Sequence, residues 1–382
     1  MSKALLFHGG GPTAVLNSSL SGALELLQEA GVQTDGALCG IAHVLDGRIR
    51  TIGRLDNRAL EKLSRSPGSA LGSGRDHLEP EDYRTIAGTL ARLGYEYVIA
   101  AGGNGTMDTT VRLAEACGKY GIKVTGIPKT MDNDLSGTDH SPGFISAALY
   151  MAASCREALY DLNGLPIHVV VIEAFGRNAG WIAASSCLAG TPEVEGPDLI
   201  LLPEDDFDED AFLSRVEEVW KAKGKALVVA SEGLHHKDGS PIVEPVFQVG
   251  RSVYFGDVSS HLSQLITRKL SIKSRSEKPG ILSRSSIAWQ SGLDRQEAWQ
   301  CGREGARAAL EGKSGFMSVI ERLCDEPYSS RVKLVEISPA ILEERRLPDT
   351  YRKDFGASEA FRTWLSPLVR EDELGQFTTF ID

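Results

Sequence analysis

Short apolar runs alternate with longer amphipathic stretches along the chain. Ala4-Leu5-Leu6-Phe7 is an unbroken apolar run that stops at Gly9-Gly10-Gly11-Pro12, and apolar residues then recur at helical spacing from Val15 to Ala30. The same order of run, glycine loop and helix returns in Tyr97-Val98-Ile99-Ala100-Ala101, Gly102-Gly103-Asn104-Gly105 and a helical stretch from Thr106 to about Lys119. A third run, Lys123-Val124-Thr125-Gly126-Ile127, opens into a loop at Pro128. Runs without polar alternation mark strands covered on both faces, so this rhythm predicts a parallel sheet flanked by helices.

The second half repeats the pattern. His168-Val169-Val170-Val171-Ile172 leads to Phe175-Gly176-Arg177-Asn178-Ala179-Gly180-Trp181, Asp198 to Leu202 precedes an acidic helix over Glu209–Lys223, and Ala226 to Ala230 precedes Ser231-Glu232-Gly233. The expected architecture is two doubly wound, three-layer α/β/α domains with mainly parallel sheets. Residues 1–142 with about 255–312 form the first, 143–254 the second, and 313–382 a C-terminal strand and extension, the strand near Arg331–Ile337. Ligands of open α/β sheets bind beyond the carboxyl ends of the strands, which places the expected active site in the crevice between the two domains.

Composition narrows the function. A length of 382 residues suits about two domains, because single cores stop growing at roughly 250–300 residues. A net charge of −11 argues against nonspecific nucleic-acid binding, so an anionic substrate must be met by local Arg, Lys and backbone N–H groups. Met1 to Phe7 run straight into a strand pattern without a signal-peptide core, and no apolar run approaches the ~18 residues of a membrane helix. The six cysteines lack CxxC spacing. Together these features point to a cytoplasmic protein with reduced thiols, acting on small molecules.

Three loops carry candidate chemistry. Gly9 to Thr13 and Gly102 to Thr106 each place backbone N–H groups at a helix start, where a phosphate can be cradled, although neither matches the P-loop or GxGxxG pattern. Pro128-Lys129-Thr130-Met131-Asp132-Asn133-Asp134 sets two carboxylates beside a lysine and a hydroxyl after a buried strand. One carboxylate can take a hydroxyl proton while the other faces Mg²⁺, the arrangement phosphoryl transfer needs; the plain alternative is an Asx-rich turn.

In this register the chain resembles the phosphofructokinase family from about residue 3 to residue 312. The collinear matches are Gly9 to Pro12 with Asn17, Gly102 to Thr106, Pro128 to Asp134, Gly137-Thr138-Asp139 with Gly143-Phe144, Phe175-Gly176-Arg177 with Ala179-Gly180-Trp181, Ser231-Glu232-Gly233, and Arg284 with Asp294-Arg295. The resemblance implies that Asp132 is the base for the sugar C1 hydroxyl, that Asp134 is its partner on the metal side, and that Thr130 holds the transferring phosphoryl group. Arg177 would stabilise the developing charge, Glu232 would bind sugar hydroxyls, and Arg284 and Arg295 would grip the 6-phosphate, with His168, Phe175 and Gly176 completing the acceptor set. The implied donor set is Gly10, Gly11, Arg75, Gly103, Asn104, Gly105, Thr106 and Lys129; the implied cofactor is Mg²⁺ on Asn104, Asp132 and Asp134. A homodimer or homotetramer is implied as well.

Several positions depart from the family pattern. Asn104 replaces an Asp that helps hold Mg²⁺, Phe175 replaces Met, Ser283-Arg284-Ser285-Ser286 replaces Gln-Arg-Gly-Gly, and His168 replaces an Arg that reaches the 6-phosphate across a subunit boundary. An amide is a weaker, neutral ligand for a hard cation. The donor signature is mixed. Pyrophosphate users carry Asp at the position of Gly105 and Lys at that of Lys129, whereas glycine at 105 leaves room for the α-phosphate of ATP. The expectation is therefore transfer from ATP to fructose 6-phosphate, giving fructose 1,6-bisphosphate. The alternatives are pyrophosphate as donor, a related sugar-phosphate acceptor, and a non-catalytic binding homologue.

Overall fold

The computed structural model describes residues 2–75, 77–249 and 252–381. In chain order the elements begin β1 (Lys3–His8), α1 (Leu16–Glu29), β2 (Gln33–Ala37), β3 (Ile49–Ile52), α2 (Asn57–Arg65), α3 (Pro80–Arg92), β4 (Tyr97–Gly102), α4 (Asn104–Gly118), β5 (Lys123–Pro128) and α5 (Phe144–Gly164). They continue with β6 (Val169–Ala174), α6 (Trp181–Ser185), β7 (Leu199–Leu201), α7 (Glu209–Lys223), β8 (Ala226–Ser231), β9 (Pro245–Val249), β10 (Ser252–Phe255), α8 (Val258–Leu270) and β11 (Ser274–Glu277). The last are α9 (Ile281–Ser285), α10 (Gly292–Leu310), β12 (Phe316–Asp325), β13 (Tyr328–Glu336) and α11 (Glu359–Leu365).

The chain divides into two compact units, residues 1–147 with 284–345 and residues 148–283 with 346–382. The first holds a seven-stranded sheet ordered β13-β12-β5-β4-β1-β2-β3, parallel except at its two edges. Its central strands β1, β4 and β5 are buried on both faces because each residue there has a helix layer to meet. Leu5 and Phe7 pack with Ile86 and Leu90 of α3, while Ala4 and Leu6 pack with Leu20 and Leu24 of α1 and Ala306 of α10. This is the period-two alternation of a strand between two layers.

The second unit holds a four-stranded parallel sheet ordered β11-β6-β8-β7. Between β7 and β8 runs α7, which starts where the Asp208 carboxylate accepts the Ala211 N–H and ends at Gly224 in the left-handed region. The return to the first unit comes at Arg284, later than the expected 255. The cause is β11, whose residues Ser274 to Glu277 pair with Val169 to Ile172 of β6, with α8 packed alongside. The terminal region also splits differently from expectation. β12 joins the first sheet beside β5, β13 returns antiparallel to it, and residues from 346 onward pack in the second unit. There the Phe355 carbonyl accepts the Ile200 N–H, which covers the open edge of β7. All six cysteines are free thiols. Among the described residues no helix is long and apolar enough to cross a membrane.

Candidate active site

In the first unit the carboxyl ends of β1, β4 and β5 carry the expected glycine and carboxylate loops. Residues 69–75 zip onto the end of β1: Gly10 N–H donates to Gly74 O (2.8 Å), and Ser73 Oγ donates to Gly10 O (2.5 Å). His8 Nδ1 lies 2.7 Å from Ser69 Oγ, which itself donates to Gly72 O at 2.7 Å. Ser69 has one hydroxyl hydrogen, so His8 is the donor in that pair and carries its proton on Nδ1. Burial, and then the nearby Lys129 ammonium, lower the His8 pKa to about 3, so the ring stays neutral. This segment lines a cavity of about 480 Å³ with Gly10, Gly11, Pro12, Arg75 and Arg284. A Cβ on Gly11 would lie 3.1 Å from Arg284 Nη1, which shows how closely that guanidinium approaches the loop.

The second glycine loop turns directly into α4, with Gly103 as its N-cap. Thr106 is tucked inward: a Cβ on Gly102 would meet its Oγ1 at 2.1 Å, and one on Gly9 at 2.2 Å. Gly105 is the opposite case, exposed and with nothing within 4 Å of an added Cβ.

Lys129 is buried and donates from Nζ to Gly11 O at 2.6 Å, joining the β5 loop to the β1 loop. Burial lowers its pKa to about 8; Asp132 and Asp134 resist that shift, and Arg284 and Arg75 add to it. Thr130 Oγ1 accepts the Asp132 N–H at 3.1 Å. Asn133 adopts a φ of +54° and turns its Oδ1 to the Ser141 N–H at 3.0 Å. Asn104 Nδ2 donates to Asp134 O at 3.0 Å. Asn104 Oδ1 and Asp134 Oδ1 are buried acceptors without a hydrogen-bond partner among the described residues. Two orphaned oxygen acceptors on adjoining loops are the hard donor atoms that Mg²⁺ takes, so these residues fit the ion. Among the described residues no group of three or more His, Cys, Asp and Glu side chains is gathered to hold a metal.

Behind the carboxylate loop lies a buried network of ions. His140 Nδ1 meets Asp139 at 2.8 Å and Nε2 meets Glu297 at 2.7 Å. Burial alone would lower the His140 pKa, but the Glu297 and Asp139 carboxylates raise it to about 9. Glu297 also accepts from Tyr328 Oη (2.7 Å) and Ser330 Oγ (2.6 Å), and Arg322 pairs with Asp139 at 3.0 Å. Asp294 accepts the Gly143 and Ser146 N–H groups at 2.8 and 3.0 Å.

In the second unit the loops after β6 and β8 interlock. Gly176 has a φ of +110°, and Ser231 Oγ donates to its carbonyl at 2.6 Å. A Cβ on Gly233 would lie 1.6 Å from Arg177 O, so this approach is possible only for glycine. Arg177 is exposed, with its guanidinium carbon 5.3 Å from the Phe255 ring centroid. Phe175 is half-buried beside it. Burial raises the Glu232 pKa, while Arg177 pulls it down.

Arg295, on α10, turns its guanidinium to Glu61 of α2 at 3.2 Å. His168 precedes β6, at the end opposite Arg177 and roughly 20 Å along the strand. Its Nδ1 is buried without a partner among the described residues, and burial, then Arg275 and Lys273, lower its pKa. Within one chain the strand separates His168 from Arg177 and Glu232. Sequence reading passed over His8, Ser69, His140, Glu297 and Glu204. His8 alone carried a signal, as a polar residue closing an apolar run before a glycine loop.

A profile of the Phosphofructokinase family matches residues 3–309. A sulfofructose kinase of Alkalicoccus urumqiensis is 33% identical over 370 residues, 95% of this chain and 94% of its own. A pyrophosphate--fructose 6-phosphate 1-phosphotransferase of Xanthomonas campestris pv. campestris is 32% identical, covering 96% of this chain and 91% of its own. The ATP-dependent 6-phosphofructokinase 2 of Streptomyces coelicolor is 29% identical over 91% of this chain and 97% of its own. The crystal structure of a pyrophosphate-dependent phosphofructokinase from Nitrosospira multiformis superposes with a TM-score of 0.88 at 30% identity, covering 96% of this chain and 92% of that one. The chain belongs to the phosphofructokinase family and is an enzyme of the phosphofructokinase type.

Proposed function

We propose that the protein transfers the terminal phosphoryl group of ATP to the C1 hydroxyl of fructose 6-phosphate, giving fructose 1,6-bisphosphate. The observation that carries this reading is the carboxylate loop beside a buried lysine: the Lys129 ammonium interacts electrostatically with Asp132 and Asp134 and, unfavourably, with Arg284 and Arg75. Asp132 takes the C1 hydroxyl proton as that oxygen bonds to phosphorus, and the bond from phosphorus to the leaving diphosphate breaks. Lys129, Arg75 and the backbone N–H groups of Gly10, Gly11 and Gly103 to Thr106 bind the donor phosphates. Thr130 and Arg177 hold the phosphoryl group in flight, while Glu232 and Arg284 orient the acceptor. Asp134 and Asn104, with Asp132, would hold Mg²⁺, which when bound offsets negative charge on the donor oxygens.

The open space at Gly105 supports ATP over pyrophosphate. Pyrophosphate is the second reading, supported by Lys129 on Gly11 O and by the Xanthomonas campestris relative. The test is an assay of purified protein with Mg²⁺, giving ATP or pyrophosphate in turn. Fructose 6-phosphate and its 6-sulfo counterpart serve as acceptors, the latter because of the sulfofructose kinase relative. Turnover of fructose 6-phosphate with ATP is the expected result, and turnover with pyrophosphate alone overturns the donor assignment. Preference for the 6-sulfo acceptor overturns the acceptor assignment.

A further inference from the structure

We propose that Glu204 is the positioning residue for Arg177, and that it does this by tying the Arg177 loop to the C-terminal segment. The proposal rests on the role given to Arg177 above. Glu204 follows β7 in Leu201-Leu202-Pro203-Glu204. Its Oε1 accepts two main-chain N–H groups from segments far apart in sequence, Gly180 at 2.9 Å and Leu347 at 2.8 Å. Its Oε2 is buried and has no hydrogen-bond partner among the described residues. A Cβ on Gly180 would lie 2.6 Å from that oxygen and 2.9 Å from Leu202 Cδ2, so the loop is drawn against Glu204 as closely as a glycine allows.

The loop is therefore held at both ends. Ser231 fixes Gly176 on the near side of Arg177, and Glu204 fixes Gly180 on the far side. The next residue, Trp181, is boxed by Tyr351, Phe361 and Trp364 of the C-terminal segment, with ring centroids 6.0, 6.1 and 5.3 Å away. Leu347 N–H and these three rings come from one stretch of chain, so that stretch is part of the Arg177 scaffold. An exposed guanidinium on a long side chain depends on its backbone for aim, and a small displacement of a transition-state contact is expensive in rate.

The test compares Glu204→Ala, Glu204→Asp and Glu204→Gln in the full chain. E204A is expected to lower kcat about 100-fold, approaching the loss from Arg177→Ala, with donor KM within about twofold. The double variant R177A/E204A is expected to be no slower than R177A alone, because both remove the same contact. E204A and Arg75→Ala, on the donor side, are expected to add. E204Q keeps an oxygen acceptor for both amides and is expected to recover most of the lost rate. E204D, one methylene shorter, folds around the same charge and is expected to fall between the two; it stands in for E204A should that variant not fold.

Hydrogen exchange reads the same clamp without turnover. The Gly180 and Leu347 amides are expected to exchange at least about tenfold faster in E204A, or in E204D should E204A not fold, and to stay slow in E204Q. Unchanged exchange, a kcat within about twofold of wild type, or full additivity with R177A overturns the proposal. An inactive wild type whose two amides still respond to Glu204 overturns the function read above and leaves the clamp standing.

Discussion

The two units hold their working loops by different means. In the first, residues 128–143 are secured by charge: Lys129 beneath, the Asp139–His140–Glu297–Arg322 network behind, and Asp294 at the far end. In the second, residues 175–180 are secured mainly by close backbone approach at Gly176 and Gly233 and by one carboxylate accepting two amides. The difference follows from what each loop presents. In the roles proposed above Asp132 and Asp134 act as carboxylates, which calls for surroundings that are electrostatic as well as geometric. The role proposed for Arg177 is to direct a planar guanidinium, which calls for a scaffold that aims its backbone.

The sharpest way to break this contrast is Asp132→Asn. It keeps the shape of the loop and removes the proposed base, so kcat is expected to fall about 10²- to 10⁴-fold while acceptor KM moves little. Near-normal turnover in steady-state assays would refute the assignment. Gly233→Ala attacks the other kind of scaffold. The added carbon would meet Arg177 O at 1.6 Å, and a loss of about 1–3 kcal/mol is expected, seen as a lower denaturation midpoint, together with slower turnover. Gly105→Ala is its control for stability, since an added Cβ there meets nothing within 4 Å and the denaturation midpoint should hold.

Two pH profiles sharpen the contrast further. Burial lowers the Lys129 pKa to about 8, so its charge is lost as pH rises through that value; kcat/KM for the donor is expected to decline above it, by up to about tenfold per unit, and Lys129→Met should abolish that limb. A flat profile to pH 9.5 would show that the ammonium is not needed. The second profile concerns stability. The folded-state pKa of His140 is raised from 6.5 to about 9, so its contribution is complete below 6.5 and is lost as pH rises through 9. Across that window the slope approaches about 1.4 kcal/mol per pH unit for one proton. Urea denaturation of wild type and His140→Gln at pH 6.5 and 9.5 checks it: the two should converge at the higher pH.

Much of the fold is legible in the chain. The run over Tyr97–Ala101 became β4, Lys123–Ile127 became β5, and α7 spans Glu209–Lys223 as its spacing predicts. β12 was missed because Phe316–Asp325 mixes apolar residues with Glu321, Arg322 and Asp325, and its outer half is exposed. The assignment of β11 to the second unit was also missed. Ser274-Arg275-Ser276-Glu277 has no strand pattern, and it is a strand because β6 offers it an edge.

The candidate site divides the same way. Sequence alone determined which residue types stand together on short loops, because Lys129, Thr130, Asp132 and Asp134 are local and their spacing is a property of the chain. Tertiary structure alone decided what each loop leans on. It brought Lys129 to Gly11 across 118 positions, His140 to Glu297 across 157 and Glu204 to Leu347 across 143, and it turned Arg295 to Glu61. Such contacts join residues with no periodic relation, and only the packing of sheets and helices sets their distance, so no local pattern announces them.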